Sequence, residues 1–177
     1  MGVYSNMLTD EKILSLVCNL KSVVILGCEG CANISVAYDR DIPMGKIIVD
    51  ANTGRNKTVP TAILVEANRL KSLLEAQGLD VRVETRSGLC NMSDETSGDD
   101  LGLTKACADL DGVLLLSCPA GSVGVRKRAG KNVKILPAMK TVGVFQRYLT
   151  TDHQKGLVFV DKNKSAMIRI LGASEAS

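Results

Sequence analysis

The stretch Ser22-Val23-Val24-Ile25-Leu26-Gly27-Cys28-Glu29-Gly30-Cys31 decides the fold. Ser22 to Leu26 is a β-branched run closed by Gly27. An unbroken apolar run of this kind reads as a strand covered on both faces, as in a parallel sheet. Two further runs repeat the pattern. Asp80 to Glu84 leads into Ser87-Gly88, and Gly112 to Leu116 leads into Ser117-Cys118-Pro119.

Helical patterns lie between these runs. Thr9-Asp10-Glu11-Lys12 opens a helix over Thr9 to Leu20, with Ile13, Leu14, Leu16, Val17 and Leu20 on one face. Ala62 to Gln77 places Ile63, Ala67, Leu70 and Leu74 together, and Gly78 stands where a helix-ending glycine belongs. Leu103 to Leu110 predicts a shorter helix, and Val133 to Leu136 a fourth strand. Leu157 to Val160 and Met167 to Ile170 predict a terminal hairpin around Asp161-Lys162-Asn163-Lys164. Ala37 to Pro60 reads as an inserted surface excursion with a short strand at Lys46 to Val49, and Asn91 to Asp100 as a mobile loop. The expected architecture is α/β in a single domain over residues 1–177. It is an open, mostly parallel, Rossmann-like sheet of about four or five strands with helices on both faces.

Composition narrows the function. The chain has 177 residues and 18.8 kDa, enough for one core. Its 45% hydrophobic and 23% charged residues exclude wholesale disorder, collagen and coiled coil. With 3% aromatics, no Trp and a net charge of +3, stacking on nucleic acid is not expected. Met1 to Asp10 has no signal-peptide layout, and no apolar run reaches the roughly 18 residues of a membrane span. The expected setting is therefore cytoplasmic, with no membrane partner. There, cysteines point to metal or redox work rather than to structural disulfides.

Six cysteines are present. In a parallel sheet every strand enters its helix at the carboxyl edge, where binding sites gather. Cys28 and Cys31 follow the first strand, Cys90 the second and Cys118 the third, so the topology delivers four thiols to one edge. Four converging thiolates suit Zn²⁺ or an iron–sulfur cluster. A Cys-x-x-Cys after a strand also suits a dithiol redox pair, which Cys90 and Cys118 argue against. Gly27, Gly30, Gly88 and Gly121 let backbone N–H groups approach sulfur, which favours a [4Fe-4S] cluster over zinc. Cys18 and Cys107 fall on apolar helix faces and read as small buried hydrophobes.

Other chemistries lack their residues. His153 is the only histidine and lies in a polar stretch, so it reads as a surface residue. No Gly-x-x-x-x-Gly-Lys-Ser/Thr loop occurs, and no Gly-x-Gly-x-x-Gly follows the first strand. Pro119 to Gly124 reads as a strand-to-helix turn rather than an anion cradle. Arg126, Lys127, Arg128, Lys131 and Lys134 form a basic run, read either as a solvated helix end or as a patch for an acidic partner or an anionic cofactor.

Val23 to Ala32 resembles the opening motif of the small cysteine-rich partner of methylenetetrahydrofolate reductases, which also occurs fused to the reductase as a C-terminal domain. Leu89-Cys90, Asp111 to Cys118 and Ile135 to Thr141 follow in the family's order, and the likeness spans Lys21 to about Gly143. The resemblance implies that Cys28, Cys31, Cys90 and Cys118 are metal-site cysteines. It also implies a zinc or iron–sulfur accessory to a flavin- or corrinoid-handling enzyme of one-carbon metabolism. The chain departs from the family at Ser35, where a further cysteine is common, and in having no cysteine after Cys118. These departures put multi-cluster electron relay in doubt and leave a single site intact. Two competing functions stand beside this one. The first is a thiol redox or methyl-transfer enzyme using Cys28 and Cys31, with Cys28 as nucleophile. The second is a structural zinc module for protein interaction.

Overall fold

The computed structural model describes residues 2–91, 107, 109–129 and 133–170. Eleven strands and four α-helices occur among them. The chain runs β1 (Gly2–Met7), α1 (Asp10–Val17), β2 (Ser22–Cys28), α2 (Cys31–Arg40), β3 (Gly45–Val49) and β4 (Asn56–Pro60). It continues through α3 (Ala62–Glu75), β5 (Asp80–Arg86), a 3₁₀ turn (Leu89–Asn91), β6 (Gly112–Leu116), α4 (Pro119–Arg128) and β7 (Lys134–Pro137). It closes with β8 (Met139–Gln146), β9 (Leu149–Asp152), β10 (Leu157–Val160) and β11 (Ala166–Arg169).

The strands form three sheets, ordered β5-β2-β6-β7, β1-β8-β11 and β4-β3-β10-β9. In the first, β2 is parallel to β5 and to β6, and β6 is parallel to β7. Every pairing in the other two is antiparallel. The open, mostly parallel, Rossmann-like sheet is therefore incorrect as the fold class. The protein is mixed α/β, with one parallel sheet joined by two antiparallel ones. The physical reason lies in which faces are covered. A parallel strand is buried on both faces and shows a continuous apolar run, whereas an antiparallel strand needs one buried face and alternates. In β8, Met139, Gly143 and Phe145 are buried while Lys140, Val144 and Gln146 are exposed. That alternation contains no long apolar run.

The remaining expectations fare unevenly. The Thr9 hydroxyl accepts the Lys12 N–H and caps α1. Gly78, at φ 83°, stops the chain after α3. The Ala37 to Pro60 excursion is instead the end of α2 followed by a β3–β4 hairpin, turned by Asp50 accepting from the Asn52 and Thr53 N–H groups. The expected terminal hairpin does not exist. β10 has both edges occupied, by β3 and β9, so β11 pairs with β8. The segments expected as a helix over 103–110 and as a loop over 91–100 lie outside the described residues, apart from the end of the 3₁₀ turn and Cys107, Asp109 and Leu110. Among the described residues no helix is long and apolar enough to cross a membrane.

One continuous core joins the parts. Val23, Val24, Ile25 and Leu26 are each at most 1% exposed. At about 1.5–3 kcal/mol for each buried aliphatic side chain, they outweigh the roughly 1 kcal/mol of the Thr9 cap. Asn33, fully buried, ties α2 to the β3 approach and to α3: its amide donates to the Met44 carbonyl and its oxygen accepts the Ile63 N–H. Tyr4 of β1 donates to Asp39 of α2, and Tyr4, Tyr38 and Phe145 pack ring against ring. Buried Glu66 on α3 accepts from Arg40 and Arg69, and Arg69 grips both Asp10 oxygens.

Two expectations follow. A Cβ at Gly143 would stand 2.2 Å from the Ile168 carbonyl oxygen, backbone against backbone, so Gly143→Ala cannot keep β11 on β8. The expected loss is more than about 2 kcal/mol in a urea melt. The Arg69 guanidinium holds the Asp10 carboxyl below its usual range. That stability is present above the unfolded carboxyl value near 4 and is lost as pH falls through the lower folded value. Asp10→Asn should therefore flatten the acid arm of the stability curve, by less than about 1 kcal/mol because the pair is solvent-screened.

Candidate functional site

The register of β2 places the first thiols. Cys28 is the last residue of the strand, opposite Arg86 of β5, rather than the residue after it. Gly27 permits this, because a Cβ there would stand 2.8 Å from the Ile63 side chain and push α3 off the strand. Glu29 donates its N–H to the Arg86 carbonyl, and its carboxylate accepts from the Thr85 hydroxyl. Gly30 then caps α2 without a side chain, and Cys31 opens the helix.

The third thiol arrives from β6. Leu116 pairs with Gly27, and Cys118, two residues on, is the N-cap of α4 with Pro119 in the first turn. Gly121 brings that first turn close to the 3₁₀ turn, since its Cβ would lie 3.4 Å from Leu89 Cβ. Leu89 in turn aims its N–H at Cys28, and Cys90 is the next residue.

Cys28 and Cys118 are buried, Cys31 is half-buried and Cys90 is exposed. Burial pushes the Cys28 thiol above its ordinary value. The N–H groups of Gly30 and Leu89 pull it down, and the neighbouring Cys118 and Cys31 push it up again. Cys28 is thus electrostatically coupled to two of the other three thiols and joined by a backbone hydrogen bond to the residue preceding the fourth. The four do not close on a common centre. Among the described residues no three Cys, His, Asp or Glu side chains stand close enough together to hold one metal ion.

The other cysteines divide. Cys107 is buried, as expected, beside Glu84 and Arg86; burial pushes its thiol up, Glu84 adds to this and Arg86 opposes it. Cys18 is exposed at the end of α1, which corrects its reading as a core residue. The helix stops at Val17, so Cys18 never takes a place on the apolar face. His153 is exposed.

Two neighbours of the thiols escaped the sequence reading. A Cβ at Gly2 would lie 3.2 Å from Cys31 Sγ and 3.5 Å from Arg147 Nη1, so β1 and the end of β8 wall the Cys31 side of the site. No local signal marks them, because β1 and β8 meet Cys31 only through sheet pairing. The chain matches no family model, no curated protein and no solved structure.

The burial order predicts chemistry. In metal-free protein, iodoacetamide should label Cys18 and Cys90 well before Cys28 and Cys118, read by peptide mass spectrometry. The raised Cys28 value carries a sign: the folded state keeps a proton that the unfolded chain releases. Its contribution is complete below the ordinary thiol range near 8.5 and is lost as pH rises through the folded value. Urea melts of metal-free protein should therefore show an alkaline decline that Cys28→Ala flattens.

Proposed function

We propose that the chain is a metal-binding accessory protein whose thiol edge holds one [4Fe-4S] cluster through Cys28, Cys31, Cys90 and Cys118, and which serves a flavin- or corrinoid-handling enzyme of one-carbon metabolism. The observation that supports the site is the environment of Cys28. Two backbone N–H groups point at a sulfur that burial and neighbouring thiols hold protonated. A bound cation reverses that balance: it removes the cost of placing negative charge there, and the amides then stabilise the thiolate. Ligation would have to draw Cys31 and Cys90 onto the buried pair, since no three candidate ligands stand together in the described residues. The partner class rests on the resemblance of the cysteine-bearing motifs alone.

The same environment weighs against Cys28 as a redox or methyl-accepting nucleophile. Attack needs the thiolate, and a raised thiol value lowers its share at neutral pH. A structural zinc module differs from the cluster reading in the metal, not in the ligands.

Metal analysis after anaerobic purification tests the proposal. The expected result is brown protein with iron and sulfide in near-equal amounts, absorbing in the region of about 400 nm. Cys118→Ala should lose the centre, while Cys18→Ala keeps it. Zinc in place of iron, with the same dependence on Cys118, would select the zinc module. Protein that binds neither metal, or a Cys118→Ala variant that retains it, would overturn the site. Binding should also weaken as pH falls, because ligation displaces the Cys28 proton; proton release on zinc addition measures this directly.

A further inference from the structure

Beyond the thiols, α4 and β7 enclose a shallow groove of about 370 Å³, lined by Ser122, Val123, Arg126, Lys127 and Ile135. Its floor is aliphatic. Val123 is 57% exposed. Its rim is cationic, and neither α4 nor β7 contains an acidic residue. Arg126 donates to the Val133 carbonyl across the groove and braces it. Lys127 and Lys134 are exposed and make no ion pair among the described residues. β7 is the outer strand of its sheet, so one backbone edge is unpaired among the described strands.

Basic residues in the last turn of α4 complement the helix dipole, which accounts for their place in sequence. It does not account for an exposed valine one turn before them. An apolar floor of Val123 and Ile135 beside the cationic Arg126 and Lys127 is complementary to an aliphatic side chain flanked by carboxylates. Nucleic acid fits less well, because neither element offers an aromatic ring for a base to stack on. We infer that the α4–β7 groove is a docking site for an acidic segment of a partner protein, with Val123 and Ile135 as the apolar anchor and Lys127 as the leading charge. Because Cys118 caps α4, a partner seated on the helix stands near that thiol. The role given to that partner rests on the accessory function proposed above.

The probe is a fluorescein-labelled peptide of alternating Glu and Leu, followed by fluorescence anisotropy against the full chain. Saturable binding that weakens with salt is expected. Lys127→Glu and Val123→Ser should each weaken it about tenfold, while Lys57→Glu on exposed β4 leaves it unchanged. A Ser and Leu peptide of equal length should bind far less. Absence of saturable binding overturns the inference, as does equal affinity in Lys127→Glu, or tighter binding of a labelled DNA duplex. Both variants lie on the surface, and a thermal melt confirms that they fold. The assay does not need metal, so a failed groove with intact metal binding removes only the groove, and the reverse result removes only the cluster.

Discussion

Strand β2 is paired along both edges and covered on both faces, and the other parts of the protein are arranged around it. Its parallel pairing with β5 and β6 aligns three strand ends. Three chain turns must therefore leave the sheet at the same edge. Gly27 lets α3 approach closely, and the rise from Leu26 to Cys28 carries the first thiol to the rim. The four consecutive aliphatic side chains of β2 are essentially withdrawn from solvent, which anchors this strand in the core.

The two antiparallel sheets serve that frame in different ways. The β1-β8-β11 sheet presses Tyr4 and Phe145 against Tyr38 of α2, and the Tyr4 to Asp39 hydrogen bond fixes the contact. The β4-β3-β10-β9 sheet is held to α2 and α3 through Asn33, whose amide satisfies backbone groups of two other segments. Helix α2, which opens at Cys31, is thus held from both sides. Its N-terminus is well positioned even though no side chain caps it.

This frame explains the unusual state of the thiol edge. Rigid elements position Cys28 and Cys118, and both are buried. Cys31 and Cys90 are more accessible, and each belongs to a short polar turn or a helix start. Burial pushes the Cys28 thiol above its ordinary value, which lowers the share of thiolate that a nucleophilic reaction would need. Cys118 caps α4, and the same helix carries Ser122, Val123, Arg126 and Lys127 of the groove.

The amino-acid sequence by itself located the four strands of the parallel sheet and helices α1 and α3, because the central strands β2 and β6 are nearly continuous apolar runs; it did not mark helix α2, which follows β2. It also led to the expectation that Cys28, Cys31, Cys90 and Cys118 gather at one edge; in the structure Cys28 senses Cys31 and Cys118, and no three candidate ligands stand together among the described residues. It did not reveal β1, β8 or the partner of β11. Gly2 to Met7 and Met139 to Gln146 are half-polar, and their pairing joins residues more than a hundred positions apart. Such pairing is decided by which edges remain available after the central sheet has formed, and no local pattern carries that information. The same holds at the site. The expected topology directed the thiols toward one edge, but only the packed structure decided that Cys28 is buried beneath two amides, that Cys90 is exposed, and that β1 walls Cys31. Burial is a property of what lies opposite a residue: Leu89 reaches Cys28 and Gly2 reaches Cys31 from segments distant in the chain.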